Sequence, residues 1–425
     1  MNHQHEDNTA MIDSNVISLN KPEQNDPLQE VLREGARKLL AAAIEAEVAA
    51  FIAQYSTLKT DEHKAAVVRN GYLPERSIQT GLGDIAVKVP KVRDRSDSGI
   101  KFNSSLVPPY LKRTKNIEEF LPWLYLRGIS TGDFSETLKH LLGPEAPGLS
   151  AATISRLKQD WEQDYQDWTK RDLSQKRYVY VWADGVYSHV RMDDRLCLLV
   201  IVGSDENGRK ELVALADGYR ESAASWEDVL TDLRQRGLKT TPKLAIGDGA
   251  LGFWKAVTKL WPETDQQRCW VHKTANVLEK LPKAVQPKVK EALHAIWQAE
   301  TREQAYQAFD HCIERFEPKY PKAMACLAKD KDAMLAFYDY PAENWQHIRT
   351  SNPIESVFAT VRLRTIKTKH CGSRTTTLAM AFKLMETAQN KWLRLRGYQR
   401  LAEVITGVKF VNGIKQTGDQ QQVAA

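Results

Sequence analysis

Residues 177–271 constrain the fold more than any other stretch, because their hydrophobic pattern changes period in an order that few architectures satisfy. Three short apolar runs, 178–182, 196–202 and 212–216, are separated by turn-forming stretches at 192–194 and 205–208. Strands joined this tightly form an antiparallel meander. An amphipathic stretch over 225–236 then predicts a helix, followed by a strand at 243–247, a helix at 250–261 and a strand at 267–271. This order predicts an α/β fold with a mixed five-stranded sheet flanked by helices. The crossover helix allows the fourth strand to lie beside the first and parallel to it.

Two aspartates follow strands in this region, each before a glycine: Asp184 in Val-Trp-Ala-Asp-Gly and Asp248 in Ala-Ile-Gly-Asp-Gly. With the first and fourth strands paired, their ends are roughly 4.8 Å apart, so the two carboxylates are expected to be neighbours. Asp217 also ends a strand, but one lying two places from the first. Adjacent carboxylates repel, and protonation or a cation must relieve them. A hard divalent ion with oxygen ligands, Mg²⁺ above all, suits them. Glu355, on a helix started by Ser351-Asn352-Pro353, would complete a site for two ions about 3.5–4 Å apart, the arrangement that serves phosphodiester chemistry. Each acid alone also reads as an ordinary turn or helix-start residue.

Upstream, residues 27–54 have helical spacing, residues 77–93 read as a β-hairpin broken by Gly81 and Gly83, and 117–166 is helical in pieces. Ser130 and Ser150 can cap two helices separated by the Gly143–Gly148 break, and the second presents Arg156 and Lys158 outward. That layout is a helix-turn-helix near 130–166, a major-groove reader. Any α-hairpin looks the same. Residues 273–345 carry only helical patterns punctuated by prolines. From Arg349 to Arg400 eleven Lys or Arg face only Glu355 and Glu386, a net +9 in a chain of +6, so this segment is expected to meet phosphate backbone. Five scattered cysteines make a disulfide framework unexpected. No apolar run reaches the roughly 18 residues of a membrane span, and residues 1–26 lack a secretory signal, so a cytoplasmic protein is expected.

Cys269 and His272 could be half of a zinc site, but no second pair follows at finger-like spacing. The chain carries, in order, Arg-Asn-Gly-Tyr at 69–72, Leu-Arg-Gly-Ile-Ser-Thr at 126–131, Trp-Ala-Asp-Gly-Val-Tyr at 182–187, Gly-Asp-Gly-Ala at 247–250, Cys-Trp-Val-His-Lys at 269–273, and Ser-Asn-Pro-Ile-Glu-Ser at 351–356 followed by Arg362. Taken together, these motifs resemble the Mutator-type family of bacterial insertion-sequence transposases. The resemblance implies a ribonuclease H-like catalytic core whose Asp, Asp, Glu triad is Asp184, Asp248 and Glu355. It places His272 near the active site, against DNA phosphate or the metal-bound oxygen. Lys273, Arg362, Arg364, Lys367 and Lys369 join Arg156 and Lys158 as expected DNA contacts. Phe358 and the pairing of Asp184 with Gly185 depart from the family's usual residues without removing a ligand.

The resulting division is a disordered tail (1–26), a mainly helical DNA-binding region with a β-hairpin (27–170), a catalytic core in two parts (171–272 and 346–416) around an all-helical insertion (273–345), and a disordered tail (417–425). The implied activity is that of a DNA transposase using two Mg²⁺ ions, with Mn²⁺ able to substitute. Its partners would be the element's terminal inverted repeats, target DNA and at least a second copy of the chain, in a bacterial cytoplasm at the nucleoid. The resemblance also implies a replicative route through a circular copy. The rival readings are a DNA-binding regulator and a ribonuclease H-like nuclease that cuts without joining.

Overall fold

The computed structural model describes residues 27–96, 98–126, 129, 133–142, 151–189, 195–218, 220–249, 251–355, 358–359, 361 and 373–416. Contacts among them separate a smaller unit, drawn from Met1–Leu121 and Ser135–Gly148, from a larger one, drawn from Pro122–Phe134 and Leu149–Ala425.

In the smaller unit, helix α1 (Pro27–Gln54) spans the stretch its periodicity marks. Its Ile44 meets Ile78, Ile85, Val87, Val89 and Val107 in one apolar cluster. The hairpin is shorter than expected. Strands β2 (Arg76–Thr80) and β3 (Gly83–Val87) pair through a two-residue turn, but the extended run then leaves its partner. Pro90, which has no N–H to continue a ladder, opens strand β4 (Pro90–Asp94), and β4 pairs with β1 (Val67–Tyr72) instead. The sequence gives β1 no strand signature beyond Val67 and Val68, so it reads as linker. Helices α2 (Lys115–Leu126), α3 (Asp133–Leu142) and α4 (Ala151–Thr169) follow. Most of α3 groups with the smaller unit and α4 with the larger.

The larger unit is built on a five-stranded mixed sheet of order β7-β6-β5-β8-β9. Strands β5 (Tyr178–His189), β6 (Arg195–Asp205) and β7 (Lys210–Gly218) form the expected meander. Helix α5 (Ala223–Gln235) crosses over to β8 (Leu244–Gly247), parallel to β5, and helix α6 (Leu251–Leu260) leads to β9 (Asp265–Arg268), parallel to β8. One sheet face, with Val181, Leu199, Ile201, Val213 and Ala245, packs under Trp226, Leu230, Phe253 and Trp261 of these helices. The Trp226 and Phe253 rings meet edge-on at 5.0 Å. On the other face, the Tyr180 hydroxyl donates to Asn344 Oδ1 (2.9 Å) and Trp182 Nε1 to the His347 carbonyl (3.0 Å).

Between β9 and that anchor the chain is helical: α7 (Trp270–Leu278), α8 (Gln286–Trp297), α9 (Arg302–Phe316), α10 (Pro321–Ala328), α11 (Lys331–Met334) and α12 (Trp345–Ile348). Helix α13 (Arg374–Gln389) packs on α4, with Trp168 and Phe382 rings 5.0 Å apart. The exposed edge of β7 does not present bare backbone. Arg171 donates to the carbonyls of Leu212 and Val213, Tyr165 to that of Leu215, and Gln389 accepts from Leu212 N–H, which blocks strand addition. No helix among the described residues is long and apolar enough to cross a membrane.

Trp226, 1% exposed, should dominate the core. Trp226→Ala is expected to cost about 3–5 kcal/mol, read as a lowered urea midpoint of the transition that reports the larger unit.

Candidate active site

The parallel ladder between β5 and β8 stops at the pair Ala183 and Gly247. Asp184 and Asp248 are the next residues on the two strands, so the register sets them side by side. Strand β5 does not end at residue 182, as its apolar run suggests. It continues to His189 on β6 alone, with Asp184 opposite Val200. What ends before Asp184 is pairing on the β8 side. Asp217, by contrast, is held by Arg374 through two hydrogen bonds of 2.7 and 2.8 Å.

The glycine after each aspartate makes room for a neighbour. A Cβ on Gly185 would lie 2.3 Å from Glu221 Oε1. One on Gly249, whose φ is +87°, would lie 2.0 Å from the Arg268 guanidinium carbon. Glu221 is a fourth acid that the sequence reading misses. It follows β7, whose C-terminal end shares a sheet edge with those of β5 and β8 by strand direction, so topology was the available signal.

Asp184 is 7% exposed and accepts the Gly185 N–H at 2.8 Å. Burial, then the charge of Asp248, pushes its carboxyl up to about 7, with Glu355 adding and His272 opposing. Burial, Asp248 and Asp184 likewise push Glu221 up to about 7. Carboxylates raised this far are relieved by a proton or by a cation.

Strand β9 stops at Arg268 rather than 271. Cys269 is extended as the N-cap of α7, and His272 sits on that helix's first turn. Trp270 and Val271 look like strand in sequence, yet Trp270 packs inward from the helix, its Nε1 donating to the Met334 carbonyl at 2.8 Å. Buried Ser351 joins the two halves of the site. Its N–H and Oγ donate to Cys269 Sγ (3.2 and 3.3 Å), and Oγ also lies 3.2 Å from His272 Nδ1 and 3.3 Å from Glu355 Oε1. His272 Nε2 is 3.5 Å from the same Glu355 oxygen. Hydrogen bonding to Cys269 raises His272 to about 9 against the effect of burial, with Asp184 and Glu355 contributing. Burial raises the Cys269 thiol, but hydrogen bonds from His272 and Ser351 outweigh it and bring it below the usual range. The ligand atoms of Cys269, His272 and Glu355 lie within 4.8 Å of one another. A structural zinc takes four ligands, and this group among the described residues has three.

Lys273 does not reach solvent as its sequence context suggests. It is 2% exposed, with Nζ 2.6 Å from Asp330 Oδ2, because it lies on the inner side of α7, and so it supports packing rather than meeting DNA. Arg156 is exposed and Lys158 half-buried on α4. Arg362, Arg364, Lys367 and Lys369 lie outside the described residues. Of the other basic residues in the +9 segment, Arg349 bonds the Trp297 carbonyl, Arg374 pairs with Asp217, Lys383 with Asp164 and Glu386, and Arg400 with Glu343 and Glu403.

The profile described as Transposase, Mutator family, matches residues 8–394, and the chain belongs to this family of transposases. It is 50% identical over 300 residues to the transposase of insertion sequence element IST2 from Acidithiobacillus ferrooxidans, covering 68% of this chain and 99% of that protein. It is 51% identical over 298 residues to the transposase of element IS6120 from Mycolicibacterium smegmatis, covering 70% and 92%. Against the transposase of element IS905 from Lactococcus lactis identity is 28% over 351 residues, covering 82% and 86%.

Because Asp184 and Glu221 hold protons more tightly folded than unfolded, the stability they contribute is complete below pH 4 and lost as pH rises through about 7. His272 extends the loss toward 9. In metal-free protein, Asp184→Asn is therefore expected to match wild type near pH 3 and to exceed its unfolding free energy by about 2–4 kcal/mol at pH 8, measured by urea titration at each pH.

Proposed function

We propose that the chain is a DNA transposase that binds the terminal inverted repeats of its own insertion sequence and catalyses metal-dependent 3′-end cleavage and strand transfer. In this reading the sheet unit is a ribonuclease H-like catalytic core, residues 171–272 and 346–416, with 273–345 as a helical insertion and 27–170 as the DNA-binding region. The observation that carries it is the adjacency of Asp184 and Asp248 across the β5–β8 register, with Glu355 in electrostatic reach of Asp184. Family membership supports the same reading.

The donor set fits hard divalent ions: the acids offer oxygen ligands, and the mutual repulsion at Asp184 is the kind a cation relieves. Asp184, Asp248 and Glu355 would hold two Mg²⁺, or Mn²⁺, which when bound stabilise the attacking and leaving oxygens of a displacement at phosphorus. The chain's own groups provide the frame. Ser351 and His272 orient the Glu355 carboxylate, and His272, cationic at neutral pH, offers an N–H to a phosphate oxygen. In cleavage, water attacks the phosphorus at the element end, and the bond to the 3′ oxygen breaks, leaving a 3′ hydroxyl. That hydroxyl then attacks a second phosphodiester, forming one P–O bond as another breaks, and the protein is never covalently attached. Two ends must be held at once, so a homodimer or higher oligomer acts on DNA, in the cytoplasm.

The test is strand joining on labelled element ends with Mg²⁺. Glu355→Gln is expected to lower joining by about three orders of magnitude, the equivalent of roughly 4 kcal/mol, with DNA binding retained. Cleavage without joining in wild type would favour a nuclease. Binding alone, with Mn²⁺ as well, would favour a regulator.

A further inference from the structure

We propose that one face of the β1–β4 ribbon in the smaller unit binds the phosphate backbone of duplex DNA. This rests on the transposase reading and gives it a binding surface outside both the paired helices and the basic C-terminal segment. Side chains alternate along a strand, so Lys91, Arg93 and Arg95 share a face of β4 and its continuation, successive ones about 6.8 Å apart. That is comparable to the separation of neighbouring phosphates on one DNA strand. The ribbon borders a groove of about 620 Å³ in which Lys91 and Arg93 are joined by Asn70, Lys101 and Asn103. All five, and Arg95, are exposed.

Several cations elsewhere in the same unit are held by acids. On the opposite face of the ribbon Arg69 is paired with Glu45 at 2.7 Å. Arg33, Arg37, Lys64 and Lys88 likewise have acid partners in Glu30, Glu34, Glu62 and Glu75. Among the described residues, Lys91, Arg93, Arg95 and Lys101 have none. The acid bordering the groove, Asp94, is already engaged, accepting from Ser96 N–H and Oγ and from Ile100 N–H. Three cations with no acid partner on a two-stranded ribbon, the element whose width a DNA groove admits, and a fourth, Lys101, across the groove complement a polyanion. Lysine and arginine with amides suit phosphate oxygens, which position a protein on DNA without reading sequence.

The experiment measures duplex binding by the full-length chain across a series of salt concentrations, comparing wild type with the combined Lys91→Gln, Arg93→Gln and Lys101→Gln variant. The expected plot of log affinity against log salt is shallower by about 2.7, three contacts at about 0.9 each. Affinity falls at least tenfold, equally on element ends and unrelated duplex. An unchanged slope overturns the proposal, and so does a loss confined to element ends, which would mean base reading. If the combined variant melts below wild type, the single Lys91→Cys protein decides. Thiol–disulfide exchange with a duplex carrying a mixed disulfide on its backbone, which releases the small thiol, beyond that of wild type supports the proposal; its absence overturns it. Should Glu355→Gln leave joining intact, the transposase reading fails whatever the ribbon does. If joining depends on Glu355 and the ribbon variant binds as wild type, only the ribbon proposal fails.

Discussion

The larger unit depends on the parallel pairing of β5 with β8. Only four residue pairs make the ladder, from Tyr180 with Leu244 to Ala183 with Gly247, yet three things hang on it. It closes the meander onto the crossover helices, so that Trp226 and Phe253 have a floor to pack on. It turns Tyr180 and Trp182 toward the segment that returns Glu355. It also forces two acids together against their repulsion, a strain tolerated because the buried strands are held by far more apolar contact than the two charges can undo.

What could be read from the sequence follows from which signals are local. The meander and crossover were legible because period-two apolar runs and an amphipathic helix each announce themselves, and once the topology was drawn, Asp184 and Asp248 could be separated from Asp217. Three features were not legible. The β1–β4 pairing joins residues with mixed polar character, for which no periodicity exists. His272 lies on a helix capped by the extended Cys269 because tertiary packing of Trp270 overrides a β-like run. Lys273 reads as an accessible cation because charge in a sequence carries no record of burial, and only the partner Asp330, far along the chain, reveals it.

The same distinction applies to net charge. The C-terminal segment has a large positive count, but Arg374, Lys383 and Arg400 face acids elsewhere in the fold, and Arg349 lies over the rings of Trp297 and Phe337. Arg374 and Lys383 tie α13 to β7 and α4. The field available to a polyanion is set by the cations left without partners, and composition cannot separate the two groups.

The bridge through Ser351 has a consequence for how the acid cluster is made. Asp184, Glu221 and Asp248 belong to stretches that a ribosome releases early, whereas the residue that ties Cys269 and His272 to Glu355 emerges only after the whole helical segment. A chain that stops before Ser351 contains every strand of the five-stranded sheet but lacks Glu355 and the serine that orients it. Completeness of the cluster therefore marks synthesis that has passed the helical segment.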